Sequence, residues 1–196
     1  MANPRSEEGK DAVRRECQGL LGRLKEAERQ DSSQRLADAV AAWVRSRPDC
    51  RRLGVYAAIA GEPDLSTLHE KCPELELCYP LTGAEGAMEF HSVPTPTTLK
   101  RGNFGVCEPV VELHRQVAPR ELDALLCPGL GFTRCGLRLG RGGGYYDRYL
   151  SRLDSDTPKL GVCFPQVVLE FIPAESHDMV MTHLVEEAGV TELSKV

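Results

Sequence analysis

No fully apolar run in this sequence exceeds the six residues from Val55 to Ala60, far short of the roughly 20 that a membrane-spanning helix needs. The first thirty positions are too charged for a secretory signal, so a cytoplasmic protein with no membrane partner is expected. No two of the eight cysteines form a CxxC pair, and the five histidines make neither an HExxH motif nor a Cys/His ligand set. Reduced, largely buried thiols are therefore expected, with neither a disulfide framework nor a structural zinc. A broad excess of positive charge is missing too: 24 Lys and Arg stand against 29 Asp and Glu. A nucleic-acid backbone wants a wide basic face, and no nucleic-acid partner is expected.

What is present is an ordinary globular composition, 41% hydrophobic and 27% charged over 196 residues. That excludes a disordered tail, a collagen-like repeat and a coiled coil, and it suits a single domain spanning 1–196. A monomer is expected. Val13, Cys17, Leu20, Leu21 and Leu24 recur at helical spacing behind Asn3-Pro4, predicting a helix over about 4–28. Asp31-Ser-Ser-Gln34 resembles a capping box, and Leu36, Ala39, Val40, Trp43 and Val44 form a second stripe that Pro48 ends. Residues 1–50 thus read as two helices packed on the rest of the domain.

The period then changes. Leu53–Ile59, Leu75–Tyr79, Met88–Val93, Leu122–Cys127, Leu160–Phe164 and Val180–Val185 read as strands, with helices at Leu65–Lys71 and Tyr145–Leu153. Strand and helix alternating in this way predict an α/β fold, a single-domain three-layer sandwich around a mainly parallel sheet. Residues 94–119, with four prolines and little periodicity, read as a long loop.

Charge and glycine are concentrated in one place. Residues 129–152 hold five arginines against one acid, and seven of the eighteen glycines fall between 129 and 144. A basic island in an acidic protein suits a small anionic ligand. Strand Leu122–Cys127, a Pro128–Phe132 turn and then Gly140-Arg-Gly-Gly-Gly-Tyr-Tyr-Asp147 entering a helix would offer backbone N–H groups to a phosphate. The loop is not a Walker A motif, since Gly131 to Gly136 has the spacing but Leu137 stands where lysine would, and its glycines are out of step with GxGxxG.

The run from Pro128 to Arg148 resembles the signature of the 5-formyltetrahydrofolate cyclo-ligase family. The resemblance extends to Lys10 and Arg14, Gly61-Glu-Pro-Asp64, Tyr79-Pro80, Gly102–Pro109 and Pro173–Asp178, in order. It implies ATP-dependent cyclisation of 5-formyltetrahydrofolate to 5,10-methenyltetrahydrofolate, with ATP as co-substrate, Mg²⁺ as cofactor, and ADP and phosphate released. Mapped onto this chain, it puts Lys10, Arg14, Gly140, Arg141, Gly142, Gly143, Gly144, Tyr145 and Arg148 at ATP and Glu62, Phe104 and Tyr146 at the folate. Arg141, Tyr145 and Tyr146 would stand at the reacting atoms, and Asp147 would hold Mg²⁺ as one carboxylate among phosphates. Thr133 and Thr182 stand where many relatives have aspartate, which leaves a non-catalytic folate- and nucleotide-binding paralogue as the alternative. A sugar-phosphate or coenzyme-A enzyme of similar architecture is a third reading.

Overall fold

The computed structural model describes residues 4–102, 105–175 and 178–194, with only the backbone course given for residues 4–8. Two helices open the chain, α1 (Pro4–Arg23) and α2 (Glu26–Arg45). The first ends five residues earlier than its periodicity predicts. Arg29 folds back to cap it, donating to the carbonyls of Leu21 at 2.8 Å and Leu24 at 3.3 Å, which a helix end otherwise leaves without partners. The second helix starts where Glu28 accepts the Lys25 backbone N–H at 2.8 Å, six residues before the expected capping box. Ser32 and Ser33 therefore lie buried inside α2. Ser32 donates to Glu187, and Ser33 accepts the backbone N–H of Asp64.

The strands β1 (Arg52–Gly54), β2 (Glu76–Thr82), β3 (Met88–Ser92), β6 (Gln116–Val117), β7 (Ala124–Pro128), β10 (Lys159–Val162), β12 (His183–Glu186) and β13 (Gly189–Glu192) build one sheet. Their order is β13-β12-β10-β7-β1-β2-β3-β6. The five central strands pair parallel, and antiparallel strands close both edges. Such a sheet needs cover on both faces. Along β7, Ala124 and Leu126 enter one core with Leu53, Leu77, Val162 and the Trp43 stripe of α2, while Leu125 and Cys127 enter the other with Phe90, Phe132, Tyr149 and Leu184. Helix α1 joins the second core through Cys17 and Leu21, so the two N-terminal helices cover opposite faces. This is the expected three-layer α/β sandwich.

The differences from expectation are local. The run from Leu53 to Ile59 is a strand only as far as Gly54, and the helix expected from Leu65 is the single turn α3 (Leu68–Lys71). The long loop carries two short strands, β4 (Lys100–Arg101) and β5 (Cys107–Glu108), besides β6. Between β7 and the glycine cluster the chain does not simply turn. It inserts β8 (Gly131–Thr133) and β9 (Arg138–Leu139), which join β11 (Val168–Leu169) in a three-stranded sheet. The helix after the glycines, α4, is short, Tyr145–Leu150. No helix among the described residues is long and apolar enough to cross a membrane. All eight cysteines are free; Cys107 and Cys135 are exposed and the other six buried.

Candidate active site

The central parallel strands all end on one edge of the sheet, where loops from neighbouring strands converge and α/β folds place ligands. Glu62 is set there by its backbone. Ile59 to Glu62 forms a turn closed by the Glu62 N–H on the Ile59 carbonyl at 3.0 Å, with Gly61 at φ +90° in the position that requires a positive φ. Two tertiary bonds hold the segment beyond it: the Tyr56 hydroxyl donates to the Pro63 carbonyl at 2.9 Å, and Ser33 of α2 takes the Asp64 N–H at 3.1 Å.

The glycine loop faces this carboxylate. The Arg141 Nε donates to Glu62 Oε1 at 3.2 Å and its Nη2 to the Ala60 carbonyl at 2.7 Å, while the Ile59 N–H donates to Glu62 Oε2 at 3.2 Å. The Glu62 side chain is 7% exposed. Burial raises its pKa, and the Ile59 N–H and Arg141 pull it back only in part. The loop is pinned at three further points. Arg14 of α1 donates to the Gly140 carbonyl at 3.1 Å, and Arg148 donates to Gly143 at 2.6 Å and to Gly86 of the β2–β3 hairpin at 3.1 Å. Gly142 at φ +99° and Gly144 at φ +65° adopt a conformation that costs a side-chain-bearing residue about 1 kcal/mol or more. Because α4 has only six residues, its dipole adds little charge at the loop.

Behind the loop stand Tyr146 and Asp147. Arg138, whose side chain is 5% exposed, donates to Asp147 Oδ2 at 2.9 Å and lies over the Tyr146 ring at 5.3 Å. Burial lifts the Tyr146 phenol well above its ordinary value, and the Glu62 charge adds to that. It is therefore neutral at physiological pH and can donate a hydrogen bond. Tyr145 lies under the Arg148 guanidinium at 5.5 Å. Asp147 is the one carboxylate of the glycine segment, and among the described residues no cluster of three metal-ligating side chains occurs.

Arg14, Glu62, Gly140 to Gly144, Arg141, Tyr145, Tyr146, Asp147 and Arg148 are thus gathered around one edge. Lys10, by contrast, is 6% exposed and donates to Glu175 at 2.8 Å and to both oxygens of Asp178 at 3.0 and 2.8 Å. Burial works against its charge, but the hydrogen bonds to Asp178 and Glu175 outweigh it and raise its pKa. Phe104 and His177 lie outside the described residues. Sequence reasoning passed over Arg138, whose only signal is membership of the arginine island, and Glu175. Thr133 and Thr182 serve the scaffold. The first accepts the Leu137 N–H at 3.0 Å across the β8–β9 turn, and the second takes the Lys159 N–H at 2.8 Å.

The model of the 5-formyltetrahydrofolate cyclo-ligase family matches residues 6–187. The 5-formyltetrahydrofolate cyclo-ligase of Mycolicibacterium smegmatis is 31% identical over 165 residues, 80% of this chain and 85% of that protein. Among solved structures, the 5,10-methenyltetrahydrofolate synthetase of Aquifex aeolicus superposes with a TM-score of 0.78 at 32% identity, covering 95% of this chain and 94% of that one. The synthetase of Mycoplasma pneumoniae shares the fold with a TM-score of 0.74 at 22% identity over 91% and 98% of the two chains.

Proposed function

From the premise that this chain belongs to the 5-formyltetrahydrofolate cyclo-ligase family, we propose that it converts 5-formyltetrahydrofolate and ATP into 5,10-methenyltetrahydrofolate, ADP and phosphate. The observation that supports this best is the joining of the two halves of the site. The buried carboxylate that suits a pterin N–H edge is ion-paired with an arginine of the phosphate-binding loop, so two substrates bound to these groups meet at one point.

The chemical difficulty is an amide oxygen that leaves poorly. In the proposed sequence the formyl oxygen attacks the γ-phosphorus and ADP departs. N10 then adds to the activated carbon, the carbon–oxygen bond to phosphate breaks, and the N10 proton goes to solvent. Ring closure is intramolecular, with an effective molarity of ~10⁵ M or more when well oriented. The protein therefore has to position and to neutralise charge. The amides of Gly140 to Gly144 with Arg14 and Arg141 surround the triphosphate, and Lys10 reaches it by exchanging Glu175 and Asp178 for phosphate oxygens. Glu62 accepts the pterin N–H groups, and the family resemblance adds Phe104 as an aromatic partner of the folate. The neutral Tyr146 phenol and Tyr145 flank the formyl group.

Mg²⁺ would be held at Asp147, which is a quarter exposed and whose Oδ2 bonds to Arg138, as the single protein carboxylate usual for a metal–nucleotide complex. There Mg²⁺ would offset the triphosphate charge. Since both threonines bond to backbone of the scaffold, they give no support to the non-catalytic alternative. The test is direct: chain, 5-formyltetrahydrofolate, ATP and Mg²⁺ are mixed, and methenyl absorbance and nucleotide products are followed. Methenyl product with ADP is expected; no product, or AMP with pyrophosphate, overturns the reading.

A further inference from the structure

Beside the glycine loop lies a cavity of 310 Å³ that shares with the site above only Tyr145 and Arg148, the latter expected from the sequence at ATP. One wall is the β2–β3 hairpin, through Gly86 and Met88; the other is α4 and the turn after it, through Tyr145, Arg148, Tyr149 and Arg152. Arg148 on α4 and Arg152 in the turn after it both line this wall. Each is anchored by an uncharged group: Arg148 by the Gly86 and Gly143 carbonyls, Arg152 by the Met88 carbonyl at 3.3 Å. Among the described residues neither guanidinium meets a carboxylate within 4.0 Å, whereas Lys10, Arg138 and Arg141 all do.

Two further observations mark the cavity as built for a ligand. The Tyr149 hydroxyl, on a side chain 2% exposed, has no hydrogen-bond partner among the described residues. Gly86 adopts φ +76°, and a Cβ there would collide with the Arg148 guanidinium, so the hairpin tip is shaped to seat that arginine. The nearby acids are Glu85, exposed at the tip, and Glu89 on the outer side of β3. Neither is bonded to the arginines.

The geometry points to this cavity as the seat of the glutamyl tail of the folate, with Arg152 and Arg148 taking its carboxylates. The inference rests on the folate reading above. Tyr145 belongs both to the glycine loop and to the cavity wall, so a substrate whose formyl end lies at the loop extends its other end along this wall. A guanidinium pair would also suit phosphate, but the reading above gives the nucleotide's phosphates the loop amides, Arg14 and Arg141.

Arg152 is exposed, so Arg152→Gln leaves the core intact. KM is to be measured for 5-formyltetrahydrofolate, for 5-formyltetrahydropteroate, which lacks the glutamate, and for ATP. Wild type should bind the pteroate about ten- to a hundredfold more weakly than the folate, the range of one or two charged hydrogen bonds. Arg152→Gln should raise the folate KM by about tenfold, leave the pteroate and ATP values unchanged, and be partly rescued by Arg152→Lys. An equal rise for folate and pteroate, a rise for ATP, or no change overturns the assignment. Calorimetric titration with p-aminobenzoylglutamate and with p-aminobenzoate needs no turnover. Preference for the former, lost in Arg152→Gln, supports the tail site even if wild type makes no methenyl product, an outcome that would count against the parent reading alone.

Discussion

Glu62→Gln is the sharpest perturbation because it keeps the shape of a buried side chain and removes only its charge. Two donors face that carboxylate now, the Ile59 N–H and the Arg141 Nε, both at 3.2 Å. The contact with Arg141 is weak for a charged pair, since the guanidinium is 38% exposed and solvent screens it. A pterin edge would replace that screened contact by two parallel N–H donors in a dry pocket, worth about 1.5–3 kcal/mol when the acceptor is charged. Folate KM in the variant should accordingly rise about ten- to a hundredfold, with the ATP value little changed because Ala60 still holds Arg141 at 2.7 Å.

The same substitution makes a second prediction of opposite sign. Burial raises the Glu62 pKa in the folded chain, so the folded state takes up this proton more readily than the unfolded one. The ionised carboxylate therefore subtracts stability at neutral pH, and the loss disappears as pH falls through its raised pKa. Glu62→Gln should raise Tm at neutral pH and lose that advantage in acid, while wild-type folate KM should climb over the same acid range and the variant's stay flat. Steady-state kinetics and thermal melts across pH read both. An unchanged folate KM, or a variant less stable than wild type at pH 7, would show that Glu62 serves the fold and not the substrate.

Gly142→Ala forces a Cβ into left-handed backbone at about 1–2 kcal/mol; it should fold, keep calorimetric folate affinity and lose ATP affinity or kcat. Asp147→Asn should lower kcat with partial relief by raised Mg²⁺, and Mg²⁺-independent wild-type turnover would refute the metal role. Far from the site, burial opposes the Glu76 charge, but hydrogen bonds from Arg115, Ser92 and Arg52 win and hold its pKa at about 2. A depressed carboxylate stabilises above its unfolded pKa and loses that stability as pH falls towards about 2. Glu76→Gln should therefore cost about 1–2 kcal/mol at pH 7 after screening by its exposed partners, progressively less in acid, with kcat untouched; urea melts check this. Thiol titration of denatured, unreduced protein should find all eight groups, and loss in pairs would mean disulfides form.

The parts of the molecule that were legible in the sequence are those written in local periodicity. The stripe of α2 and the apolar cores of β2, β3, β7, β10 and β12 follow from spacing alone, and so does the parallel character of a sheet whose strands alternate with helices. The β8–β9 insertion was not legible, because two- and three-residue strands give too few alternations to register. Neither was the true start of α2, since Ser32 and Ser33 are chosen for tertiary bonds to Glu187 and to the Asp64 N–H, not for capping.

The site divides along the same line. Residue types and the glycine loop were readable; their pairing was not, because topology sets it. Glu62 meets Arg141 across 79 positions and Lys10 meets Asp178 across 168, distances over which no spacing rule acts. Read as a list, Lys10, Arg14 and Arg141 are cations awaiting phosphate. Folded, Lys10, Arg14 and Arg141 already bond to carboxylates of this chain, and Arg14 and Arg141 also hold loop carbonyls in place. Binding here is then an exchange of partners, in which each substrate must supply contacts better than those it displaces. Arg141 makes the exchange mutual. A pterin that draws Glu62 away loosens the grip on the arginine that a phosphate needs, and a phosphate that draws Arg141 away leaves Glu62 open to the pterin N–H edge. Either substrate should therefore tighten the other, and Glu62→Gln, which removes the shared contact, should abolish that coupling.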